Sequence, residues 1–103
     1  MKKVFISVGM RGRADEAVWN DINMAGRKIY EMFKGDVGIY HNMMCEKPDY
    51  SKEPGRLYYL GEAIKKLGEC DVCYFVEGWQ NYKGCKAEYE ICKLYGIEII
   101  EGA

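Results

Sequence analysis

The chain has no apolar run approaching the ~20 residues of a membrane span. Its amino end, MKKVFISVGM, carries two lysines, but the short apolar run after them opens into a Gly/Arg turn. It reads as a first strand and not as a signal peptide. Charge of either sign is nearly balanced. A formal net charge of −1 and an isoelectric point near 5.9 give no electrostatic footprint for duplex nucleic acid or an anionic membrane. A cytoplasmic protein with no membrane and no duplex nucleic-acid partner is expected. The five cysteines, Cys45, Cys70, Cys73, Cys85 and Cys92, are an odd set too sparse for a disulfide scaffold. Cys70-x-x-Cys73 enters a strand, where side chains three positions apart face opposite ways; a redox pair opens a helix instead. No second CxxC follows and His41 is the only histidine, so buried small thiols are expected and a zinc site is not. There is no GxGxxG for a dinucleotide or flavin, so neither a cofactor nor a metal is expected. Repeats, low-complexity tracts and linkers are also missing.

What is present suits one domain over residues 1–103. With 103 residues, 49% of them hydrophobic and 14% aromatic, the chain is long enough to bury somewhat over ~60% of its unfolded surface. Apolar periodicity alternates between strand-like runs and helical spacing. Val4 to Val8 is a nearly continuous apolar run ending in Gly9, the pattern of a fully buried parallel strand. Over residues 14–34, Val18, Ile22, Ala25, Ile29 and Phe33 form an amphipathic stripe, with Asp15 and Glu16 at its start and Gly35 past its end. Val37 to Tyr40 is a second strand, and residues 41–54, which contain both prolines (Pro48 and Pro54), read as a loop. Leu57, Leu60, Ile64 and Leu67 mark a second helix over 55–68. Val72 to Val76 is a third strand, residues 85–95 a third helix with a core stripe of Ala87, Ile91 and Leu94, and Ile97, Ile99 and Ile100 a final strand.

Strict β-α alternation with short connections implies a parallel sheet with right-handed crossovers. The expected fold is α/β: a small doubly wound, flavodoxin- or Rossmann-like parallel sheet of about four strands in order 2-1-3-4, with three helices. Its switch point lies between strands one and three, where ligands bind outside the carboxyl ends. Two loops meet there, Gly9 to Arg13 and Glu77 to Gly84. Gly9-Met10-Arg11-Gly12-Arg13 turns closely enough for the next helix's free N–H groups, with Arg11 or Arg13, to hold a phosphate or carboxylate.

Helix three carries the sharper feature. Glu88, placed in its first turn, lies on the line Cys85-Glu88-Cys92-Tyr95, whose other members are apolar or amphipathic. Helical side chains lean toward the amino terminus, so Glu88 aims back at the crevice. The dipole there favours its ionised form, which suits a nucleophile or a hydrogen-bonding anion. An acidic residue that merely complements the dipole is the plainer alternative. Trp79 and Tyr82 could stack on a base, cover the core edge or make an oligomer contact.

F-I-S-V-G-M-R-G near the start, C-D-V-C-Y-F-V-E-G-W-Q-N-Y-K-G-C-K-A-E in the third unit and the closing K-L-Y-G-I-E-I-I resemble the nucleoside 2-deoxyribosyltransferase-like superfamily. That group includes the deoxynucleoside 5′-monophosphate N-glycosidases and many small phage or bacterial relatives. The resemblance spans nearly the whole chain, short of the last helix and strand of larger members. It implies that Glu88 attacks the anomeric carbon of a sugar, that the base departs, and that water or a second base resolves the intermediate. It further implies a pocket lined by Ser7, Gly9, Met10, Arg11, Gly12, Asn42, Gly78, Trp79, Tyr82 and Gly84, and a homodimer or higher homo-oligomer. Asn42 falls where relatives often have Asn-Pro, without the proline. Two positions depart from the pattern. Ala63 stands where catalytic relatives have an aspartate, with Glu62 adjacent but about 100° round a helix; Tyr82 stands where relatives have serine or aspartate.

Three functions follow from these residues. The first is cleavage or transfer at the N-glycosidic bond of a (deoxy)nucleoside or its 5′-monophosphate. The second is a non-catalytic relative that captures a nucleotide, which Ala63 and Tyr82 favour. The third is an interaction module whose aromatic loop serves oligomer contacts.

Overall fold

A computed structural model describes residues 1–44 and 57–102. Four strands and three α-helices alternate: β1 (Lys2–Ser7), α1 (Asp15–Met32), β2 (Val37–His41), α2 (Tyr58–Leu67), β3 (Val72–Phe75), α3 (Lys83–Tyr95) and β4 (Glu98–Glu101). Short 3-10 turns follow β2 at Asn42–Met44 and β3 at Trp79–Asn81. The strands form one parallel sheet in the order β2-β1-β3-β4. The expected fold is therefore the observed one. Most of the 41–54 loop, with Pro48, Pro54 and Cys45, lies outside the described residues, as do residues 55 and 56 at the expected start of the second helix.

Alternation along the strands divides the interior into two cores. Val4 and Ile6 of β1, with Val72 and Tyr74 of β3, face α1, where Val18, Ile22, Ala25 and Ile29 are all buried. That stripe is the one read from the sequence. Phe5 of β1 and Cys73 and Phe75 of β3 face the other side, against Ala63 and Leu67 of α2 and Cys92 of α3. Ser7, in step with Phe5, also points to this second side. The buried central strands carry almost nothing polar, as expected of a parallel sheet covered on both faces.

Two helical stripes differ from their expected lines. On α2 the buried residues are Ala63 and Leu67, while Leu57 is 68% exposed and Ile64 37%. On α3 the buried residues are Cys85, Glu88 and Cys92, and Leu94 is 78% exposed. Hydrophobicity alone pointed at the leucine; the helix instead turns Cys85, Glu88 and Cys92 inward, with Cys92 packed among Phe5, Cys73 and Phe75 and Ile91 at the edge of that core.

Candidate functional site

The site forms where the carboxyl ends of β1 and β3 meet the first half of α3. α3 opens at Lys83, two positions before the expected start, so Glu88 belongs to its second turn and no acidic residue occupies the first. The dipole argument for Glu88 falls with that placement, since the effect fades beyond the first turn. Geometry sets its orientation instead. Cys85, Glu88 and Cys92 recur at helical spacing on the face turned to the sheet, and Glu88 is 3% exposed.

The last residue of β1 meets it there. The Ser7 hydroxyl, itself buried, donates to Glu88 Oε1 at 2.8 Å. Cys85, one turn back on α3, is buried on the same face of the helix. Burial drives the Glu88 carboxyl up from 4.5 to about 7, against the opposing pull of the Ser7 hydrogen bond. The expectation of a firmly ionised carboxylate is thereby corrected: removal from water outweighs the single hydroxyl that holds it. Burial likewise lifts the Cys85 thiol to about 11, helped by the Glu88 charge and opposed by Ser7. Cys73 is pushed up by its hydrogen bond to Cys92 and then by burial. These thiols are small core residues, not nucleophiles. Cys85 and Cys92 share with Glu88 the helical line read from the sequence, and both are buried with it; Tyr95, the last member of that line, is 79% exposed.

Tyr82, just before α3, packs on the loop after β1. A Cβ built on Gly9 would sit 2.2 Å from the Tyr82 ring, so the aromatic lies flat on the backbone just past Ser7. Only glycine permits that approach. Gly78, with φ of 87°, makes the left-handed turn that starts the 3-10 segment leading to Tyr82. Gly84 is exposed in the first turn of α3 and faces open space.

The remaining expected residues are distributed more widely. Met10 is half-buried against the α1 core. Gly12 and Arg11 are exposed, and Arg11 takes part in no ion pair among the described residues. Arg13, the alternative anion contact, is already engaged: it pairs with Asp21 at 2.7 Å and donates to the Gly9 carbonyl at 2.8 Å. Asn42 is half-buried in the turn after β2, on the far side of β1 from β3. Trp79 stacks on Tyr89 with centroids 4.5 Å apart, rests against Phe75 at 5.2 Å and donates its indole N–H to Glu101 at 3.3 Å. It covers the edge of the α3 core, one of the three roles open to it. The structure thus brings Ser7, Gly9, Tyr82 and Glu88 into one cluster and leaves Arg11 and Trp79 outside it.

Two clefts, of about 240 and 610 Å³, lie on the α1 side of the sheet, and Glu88 lines neither. Among the described residues no group of three or more His, Cys, Asp or Glu is placed to hold a metal ion. None of their helices is long and apolar enough to cross a membrane.

Residues 2–101 match the family described as "Domain of unknown function (DUF4406)". The chain belongs to the DUF4406 family. No curated protein matches it. A solved structure, described as the crystal structure of a conserved protein from Enterococcus faecalis V583, superposes with a TM-score of 0.71 at 16% identity. The match covers 98% of this DUF4406 chain and 62% of the other, so the chain spans a little under two thirds of that protein's length. At that identity the likeness is one of fold.

Proposed function

We propose that the chain acts on a nucleoside or its 5′-monophosphate, cleaving or transferring at the N-glycosidic bond with Glu88 as the nucleophile. One observation carries this reading: a glutamate on the helix after β3, 3% exposed, gripped by Ser7 at the carboxyl end of β1. An inward glutamate in this place is what the resemblance to the nucleoside 2-deoxyribosyltransferase-like superfamily asks of its nucleophile. A Glu88 oxygen bonds to the anomeric carbon as the carbon–nitrogen bond breaks. The electron pair leaves with the base, which takes up a proton. Water or a second base then attacks the same carbon and frees the carboxylate. Entry of the sugar requires the Tyr82 ring to swing off Gly9. Only the ionised carboxylate attacks, so base release climbs as pH rises through about 7.

A second reading rests on Ala63. It is fully buried in the α2 core, where the resemblance calls for an aspartate, and neighbouring Glu62 pairs with Lys65 at 3.1 Å. A missing acid/base partner lowers turnover by roughly 10²–10⁴-fold while leaving a pocket intact, as in a relative that binds its nucleotide without consuming it.

Incubating the purified chain with deoxynucleosides and their 5′-monophosphates, and following free base by chromatography, decides between the two. Release that disappears in Glu88→Gln supports the enzyme. Release that survives the substitution removes Glu88 as nucleophile. Binding with the ligand recovered intact selects the second reading, and neither binding nor release defeats both.

A further inference from the structure

α1 alone covers its face of the sheet, and it packs chiefly over β1 and β2. The 240 Å³ cleft occupies the flank this leaves open, between α1 and the carboxyl ends of β3 and β4. Ligands of doubly wound sheets bind outside such ends. A buried polar group opens onto the cleft. Tyr74 is 3% exposed, yet its hydroxyl makes no hydrogen bond among the described residues. A buried tyrosine hydroxyl ordinarily has a partner. This one lies against Gly102, where an added Cβ would stand 2.6 Å from it. Both residues line the cleft, so the phenol presents its donor and its acceptor to whatever enters.

The walls supply one free charge of each sign. Lys28 lines the cleft from α1 and Glu77 from the loop after β3. Both are exposed, and among the described residues neither forms an ion pair, with the other or with anything else. Asp21, the third charged group of the lining, is already held by Arg13 at 2.7 Å. A simple anion would gain Lys28 and be repelled by Glu77, and a simple amine would meet the reverse. A ligand that carries both charges suits both walls. Between them Met24, 57% exposed, and the half-buried Val76 offer apolar surface. Sites for drug-sized molecules start at about 300 Å³, so a cleft of 240 Å³ takes something smaller.

We propose that this cleft binds a free α-amino acid with an apolar side chain. Lys28 takes the carboxylate, Glu77 and the Tyr74 hydroxyl take the ammonium group, and Met24 and Val76 hold the side chain. The site stands apart from the chemistry at Glu88, which does not line it.

Isothermal titration calorimetry with L-leucine and L-methionine tests it. Both are expected to bind. Isocaproate, which is leucine without its ammonium group, and isoamylamine, which is leucine without its carboxylate, are expected to bind roughly tenfold more weakly or worse. Lys28→Gln and Glu77→Gln, at exposed positions, are each expected to keep the wild-type melt and to raise the Kd for leucine roughly tenfold. Tyr74→Phe removes a single oxygen and weakens leucine by about fivefold. Glu88→Gln is expected to bind leucine as the wild type does. No binding of either amino acid up to millimolar concentration overturns the proposal. So does a Kd that Lys28→Gln and Glu77→Gln leave unchanged, a single-charge analogue that binds as well as leucine, or loss of binding in Glu88→Gln.

Discussion

At the scale of single residues, two buried titratable groups pull stability in opposite directions with pH. Glu88 has its carboxyl raised from 4.5 to about 7 in the folded chain. Its contribution is complete below the unfolded value and disappears as pH rises through about 7. His41 is lowered from 6.5 by burial and then by Lys66, so its contribution is complete above that value and fades as pH falls. Its Nδ1 has no hydrogen-bond partner among the described residues, and its ring stands edge-on to Trp19 at 5.1 Å. Comparing wild type with Glu88→Gln cancels His41 and isolates the carboxyl. Urea denaturation is expected to show the wild type losing about 2 to 3 kcal/mol relative to the variant between pH 5 and pH 8. A constant difference between the two proteins would place Glu88 in water.

Among the elements, the tightest contact near Glu88 is the one between the loop after β1 and the start of α3. Gly9→Ala sets a methyl against the Tyr82 ring, at a distance real side chains do not reach, and is expected to destabilise the fold by about 1–3 kcal/mol. Tyr82→Ala is expected to relieve most of that strain. A double-mutant cycle on melting temperature therefore shows strong coupling between the two positions, and additive effects would contradict the contact. Little of this was legible beforehand. Tyr82 was read as a bulky substitution in a pocket, but the absence of a side chain at Gly9 gains meaning only when the two loops are seen in contact. The α3 stripe shows the same limit. Helical spacing marked two candidate faces, one through Ala87, Ile91 and Leu94 and one through Cys85, Glu88 and Cys92; the second is the buried one, while Ile91 reaches the edge of the core and Leu94 stands exposed. On α1 there was no such rivalry, because Val18, Ile22, Ala25 and Ile29 had no competing apolar line, and their face was readable at once.

At the scale of the whole molecule, the strand order followed from alternation and the handedness of crossovers, which act on any sequence of this pattern. The cluster at the carboxyl ends of β1 and β3 followed from the same topology, since the rule for ligand sites depends on where strand order reverses. Its chemistry did not. The pull of a helix terminus could be guessed from sequence, whereas the desolvation that overrides it depends on how closely β1, β3 and α3 enclose one carboxyl. That enclosure is the claim on which the functional reading rests, and carbon-13 NMR titration of the Glu88 side-chain carboxyl measures it most directly. The account predicts a midpoint near 7, moving higher in Ser7→Ala as the hydroxyl that steadies the anion is removed. A midpoint at the ordinary value of 4.5, unmoved by the loss of Ser7, would contradict it.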